Sequence, residues 1–149
     1  MALDHKVYLK IELIKEKRVK INIVNKAQKI DYSLKEINLH NDLISCVLKS
    51  LNFNSGIKIS IFSDFDIGTG LGGSSSVVVG LILGISKLFK KNVNYYRIAN
   101  LAYNAERLVF GKEGGWQDFF TPFYGGLNWI TMSKNDINVS DVNINQEII

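Results

Sequence analysis

With 149 residues, 46% of them hydrophobic, and a formal net charge of +4, the chain holds enough apolar material for one domain with a buried core and too much for a disordered tail. The single cysteine, Cys46, excludes an internal disulfide, and the absence of a charged, apolar leader adds to the expectation of a reducing, cytoplasmic setting. The charge comes as small lysine groups with no concentrated basic face, and the longest apolar run, VVVGLILGI at 77–85, is too short for a bilayer, so neither nucleic-acid nor membrane partners are expected.

In chain order, HKVYLKIELI at 5–14 and RVKINIV at 18–24 alternate apolar and polar residues across a short charged connection, the pattern of an antiparallel hairpin with one buried face. KAQKI at 26–30 extends the second strand. Residues 40–51 space Leu43, Ile44, Val47, Leu48 and Leu51 helically behind Asn41 or Asp42 as cap. IKISIFSDF at 57–65 is a third strand. The stretch 74–88, apolar almost all round, marks a buried helix, and 93–111 marks a more amphipathic one ending at Gly111. A last strand falls at 126–132. Beyond it, an Ile/Val alternation at 137–144 reads as a strand whose partner is missing. No internal repeat or long linker divides the chain, which gives one α+β domain over 1–149.

Between the third strand and the buried helix stands SDFDIGTGLGGSSSVVVG at 63–80. A plain turn needs one or two glycines. Here Gly68, Gly70, Gly72 and Gly73 precede Ser74, Ser75 and Ser76 at a helix start, which offers free N–H donors, small hydroxyls and the positive end of a helix dipole together. That favours an anion, and phosphate above others. Gly68, Gly70 and Gly73 match the dinucleotide fingerprint, but no acid follows about 20 residues on to hold a ribose. A P-loop fails because Ser74 stands where lysine is required, and a hydrolase elbow fails because Ser76 stands where glycine is required.

The run GTGLGGSSSVVVGLI resembles the second motif of the GHMP kinases, the galactokinase, homoserine, mevalonate and phosphomevalonate kinase superfamily, whose pattern is close to P-x-x-x-G-L-G-S-S-A. Together with AERLVFGKEGGWQDFFTPFYGGLNWI about thirty residues on, it looks most like the heptose 7-phosphate kinase branch. The resemblance implies a two-layer sandwich, a mixed sheet packed against helices, in incomplete form. It implies that Gly68, Gly70, Leu71, Gly72, Gly73, Ser74, Ser75 and Ser76 wrap the phosphates of ATP, that Ser74 and Glu106 hold Mg²⁺, and that Asp118 is the base toward a sugar or sugar-phosphate hydroxyl. One hydroxyl and one carboxylate suit a hard ion whose shell is completed by phosphate oxygens. Without the resemblance Glu106 reads as an exposed surface acid. Asp118, among Trp116, Phe119 and Phe120, reads as an acid in need of a partner. Trp116 and Trp129 read as core or pocket wall, and His5 and His40 as bystanders.

The chain departs from the family pattern at Gly73, where serine is usual, and at Asp66 and Ile67, which replace a proline neighbourhood. The family's first motif, before the opening strand, and its C-terminal half are absent, so the expectation is a kinase fragment with little turnover of its own. A nucleotide-binding or regulatory module without catalysis, and an assembly module that forms a homodimer through exposed strand edges, are the competing readings.

Overall fold

The computed structural model describes residues 4–65, 70–111, 113–133 and 137–142. Six strands and four helices follow in the order β1 (Val7–Ile14), β2 (Arg18–Ile23), β3 (Gln28–Ser33), α1 (Leu43–Ser50), β4 (Gly56–Ser63), α2 (Gly73–Leu88), α3 (Tyr95–Tyr103), α4 (Thr121–Tyr124), β5 (Asn128–Met132) and β6 (Ile137–Asp141). Strands β1 to β4 form one mixed sheet in the order β1-β4-β2-β3, and β5 pairs with β6 in a second.

The opening pair of strands is not a hairpin. β4 lies between them, antiparallel to β1 with Val7 opposite Ser63 and parallel to β2 with Val19 opposite Ile57. The cause is the apolar content of β4. Ile57, Ile59 and Ile61 are buried on one face beside Val19 and Ile21 of β2, and a central position satisfies both backbone edges of the most apolar strand. The Lys15–Lys17 connection therefore crosses over the start of β4, where Gly56 leaves room for it: a Cβ there would lie 1.8 Å from the Glu16 carbonyl oxygen.

Residues 26–30 do not extend β2. The chain turns through a 3₁₀ segment at Val24–Lys26 and left-handed Ala27 (φ 49°) and returns as β3, antiparallel to β2 with Ile21 opposite Ile30. The tail strand also has its partner, since β6 pairs with β5, Ile130 opposite Val139.

The buried face of the large sheet packs against α1, α2 and α3 in one continuous core that includes Val47, Leu48, Val78, Leu81, Ile82 and Ile98. α2 lies close to β1. A Cβ on Gly80 or Gly84 would meet the Leu9 or Ile11 Cδ1 at 2.7 or 2.5 Å. Two layers of mixed sheet and helices are what the fold expectation required.

α1 is tied to the sheet by a buried polar relay. The Ser45 hydroxyl donates to the Asp42 carboxylate, so it is left to accept from the Tyr32 phenol of β3 at 2.5 Å. His40 stacks on the Tyr32 ring at 3.7 Å, a structural place for that histidine. Burial pushes the Tyr32 phenol up to about 12, and the Asp42 charge adds to the rise.

Candidate active site

β4 delivers the chain to the glycine loop from a pinned end. The Asn25 side-chain amide donates to the Ser63 carbonyl (2.7 Å) while its oxygen accepts from the Ser63 amide (2.9 Å). Gly70 (φ 80°) and Gly72 (φ 73°) then take left-handed backbone, which only glycine adopts without strain. Gly68, expected in this set, lies outside the described residues.

The helix that follows begins unlike its neighbours. Asp42 caps α1 by accepting from the Ser45 amide (3.0 Å), and Asn94 caps α3 by accepting from the Arg97 amide (2.8 Å). α2 has Gly72 at its N-cap and, among the described residues, no capping side chain. The first backbone bond of the turn is Ser76 N–H to Gly72 C=O at 2.9 Å, so the Gly73, Ser74 and Ser75 amides precede any carbonyl the helix could offer them. Among the described residues, no side chain covers the positive end of this 16-residue helix.

Beside this end lies a cavity of about 760 Å³. It is lined by Gly70, Leu71, Gly72 and Ser76 of the loop and helix start, by Asp118, Thr121 and Asn128 farther along the chain, and by His5. The space falls within the range of small-ligand sites. His5, set aside in the sequence as a bystander, belongs to this lining, its Nδ1 3.4 Å from Asp64, whose Oδ1 also accepts from the Lys6 amide at 2.9 Å.

Glu106 is not a surface acid. It is fully buried, and both its oxygens face α2: Ser74 Oγ donates to Oε1 at 2.8 Å and Ser75 Oγ to Oε2 at 3.0 Å. A carboxylate out of water survives only with such partners. The backbone that carries it is also unusual. α3 widens at its end into a π-helical turn, Asn104–Val109, closed by Phe110 N–H to Ala105 C=O at 3.0 Å. π-turns are rare and recur at functional sites because the extra residue re-aims side chains.

Sequence reasoning missed the next residue, Arg107, whose side chain is 6% exposed. Its Nη1 stands 3.7 Å from Glu106 Oε1 and its Nη2 3.8 Å from Asp118 Oδ2, so the guanidinium lies between the two acids that the motifs single out. It donates to the carbonyls of Glu113 (3.0 Å) and Gly115 (3.4 Å) and rests 5.1 Å above the Phe119 ring. A signal existed, since an acid among aromatics implies a cation nearby.

Ser74, in the first turn of α2, meets Glu106 outside the cavity lining, and Asp118, 42% exposed, lines the cavity; Arg107 lies between the two acids. Gly73 and Ser75 are buried in the turn itself. Trp116 stacks flat on Tyr103 at 3.8 Å and packs against the core, but Trp129 is 67% exposed on β5 and belongs to neither core nor cavity.

The donor set fits Mg²⁺. Adjacent ligands of an octahedral ion bound at about 2.1 Å stand about 3 Å apart, and Ser74 Oγ and Glu106 Oε1 are separated by 2.8 Å. No cluster of three or more metal-ligating His, Cys, Asp or Glu side chains occurs among the described residues.

Residues 38–126 match the family model described as the GHMP kinases N terminal domain. The chain is 38% identical over 87 residues to D-glycero-alpha-D-manno-heptose 7-phosphate kinase of Campylobacter jejuni, a match covering 58% of this chain and 24% of that protein. It is 31% identical over 131 residues to mevalonate kinase of Pyrococcus furiosus, covering 76% and 39%. Among solved structures, a D-glycero-D-manno-heptose 1-phosphate kinase from Bacteriodes thetaiotaomicron superposes with a TM-score of 0.80 at 25% identity over 97% of this chain and 50% of that one. The chain thus spans half or less of the length of each of these relatives. An open helix end behind a glycine loop, a buried glutamate on its serines and a family match across both place the chain in the GHMP kinase N-terminal domain family.

Proposed function

We propose that this chain is the phosphate-binding part of a kinase that transfers the γ-phosphoryl group of ATP to a hydroxyl of a small molecule, a sugar or sugar phosphate. The observation that carries the reading is the fully buried Glu106 on Ser74 and Ser75, joined through Arg107 to Asp118 in the wall of a cavity the glycine loop also lines. The names of the relatives, a heptose-phosphate kinase and a galactokinase among them, support the sugar.

In this reading the Gly70–Ser76 amides hold the phosphate oxygens, and Asp118 accepts the proton of the substrate hydroxyl as its oxygen bonds to the γ-phosphorus and the bond to the bridging oxygen of ADP breaks. Arg107 is a positioning residue that holds Asp118 toward the cavity. Ser74 and Glu106 hold Mg²⁺, which, when bound, neutralises charge on the phosphates.

The test is phosphotransfer from ATP to a panel of sugars and sugar phosphates by the complete open reading frame, with Asp118→Asn beside it. The expected result is a fall in kcat of about 10²- to 10⁴-fold with Mg·ATP affinity retained; equal turnover in the two proteins removes Asp118 from the mechanism. The isolated 149-residue chain is expected to bind Mg·ATP and turn over little. Calorimetry that finds nucleotide binding without phosphotransfer in the complete protein favours a binding module instead. A further reading, a homodimer through strand edges, draws on β1 and β3, which close the two sides of the large sheet. Concentration-dependent sedimentation that ignores nucleotide supports it.

A further inference from the structure

At the far end of α2 from the glycine loop lies a second cavity, of about 290 Å³, sharing no lining residue with the first. Ser86, on its wall, stands 14 positions after Gly72, which puts the two sites about 20 Å apart along the helix. Its floor is apolar: Leu51 behind α1, Ile85 of α2 and Leu101 of α3, with Phe53 set edge-on to Phe89 at 6.0 Å.

Its charge is of one sign. The sequence carries no carboxylate between Asp42 and Asp64 or between Asp66 and Glu106, the two stretches that supply every lining residue. Lys91 and Arg97 line the mouth, and neither forms an ion pair among the described residues. Inside, Ser86 is 6% exposed, and its hydroxyl makes no hydrogen bond to any described residue. That hydroxyl is open to the cavity, where water or a ligand atom can meet it.

We propose that this cavity is a second ligand site, for a small organic anion: a carboxylate or phosphate carried on an apolar body about the size of one ring. Arg97 and Lys91 take the anion at the mouth, Arg97 with two parallel N–H donors, while the body displaces water from Leu51, Ile85 and Leu101 and a polar atom near the head meets Ser86. The volume, at the small end for ligand sites, sets the size. The site is independent of the phosphate loop.

Phenyl phosphate is the probe, titrated into the ¹⁵N-labelled 149-residue chain and followed by amide chemical shifts, with inorganic phosphate and benzyl alcohol as single-feature controls. Saturable shifts in residues 50–54 and 85–97 with a Kd below about 1 mM, each control at least tenfold weaker, are expected. Arg97→Gln, at an exposed position where the fold does not depend on the side chain, should weaken the probe about tenfold, and Ser86→Ala by a smaller factor. Shifts confined to Gly70–Ser76, an unchanged affinity in Arg97→Gln, equal affinity for inorganic phosphate, or no saturable shift at roughly 10 mM probe would each overturn the proposal.

Discussion

In the proposed reading, Glu106 serves chemistry at the expense of the fold. A fully buried carboxylate is costly to desolvate even with two hydroxyl donors, and a neutral amide of the same shape is not. Glu106→Gln also takes an anion from beside the buried Arg107 guanidinium, so it is expected to lower unfolding stability by about 3 kcal/mol and to weaken Mg-dependent nucleotide binding more than tenfold in the protein that is still folded, measured by denaturant melts and calorimetry side by side. Unchanged nucleotide binding in the folded variant would make the glutamate a structural residue only. Tyr32 makes the opposite case. Its phenol ordinarily titrates near 10 and is pushed up to about 12 by burial, so the folded state resists ionisation that the unfolded chain accepts. The corresponding stability is whole below pH 10 and is lost as pH climbs from 10 toward 12, by roughly 3 kcal/mol in all. Tyr32→Phe should cost about 1 kcal/mol at neutral pH, because Ser45 still donates to Asp42, and should flatten the difference in urea midpoint between pH 9 and pH 12.

At the scale of elements, the packing of β4 between β1 and β2 rests on one residue with no side chain. Gly56→Ala drives a methyl group into the Glu16 carbonyl, and since the obstacle is backbone it cannot turn aside. The expected cost is about 3 kcal/mol, read as a lower urea midpoint with an unchanged slope. The same region marks what the sequence could tell. Strands and helices were legible because each declares its own period: β4 through Ile57, Ile59 and Ile61, α1 through Leu43 to Leu51 behind Asp42. Which strand pairs with which was not, since alternation in Val7–Ile14 and Arg18–Ile23 is the same whether they meet or are parted by a strand arriving more than thirty residues later. The glycine loop was legible in composition. The π-turn at Asn104–Val109 was not, because nothing local distinguishes it from ordinary helix, and with it went the burial of Glu106 and the placing of Arg107 between Glu106 and Asp118.

For the molecule as a whole, ligand binding is the measure of whether the open end of α2 is a built site. A nucleotide that binds only the folded chain adds about 3 kcal/mol of stability at 100 times its Kd, which for a domain near 150 residues raises Tm by roughly 5–10 °C. That rise is expected with Mg·ATP, smaller with ATP and chelator, and absent in Glu106→Gln. No helix among the described residues is long and apolar enough to cross a membrane.

The insertion of β4 also bears on how the chain comes to be folded. When the chain emerges from its N-terminus, β1 and β2 are both available before residue 56 exists, joined by three residues and patterned alike. We predict that they first pair directly, a kinetic trap that comes apart before the central strand enters. Refolding should accordingly show a slow phase that deepens when the 15–17 connection is given a tight Asn-Gly turn, which rewards the premature pairing, and that fades when the connection is lengthened.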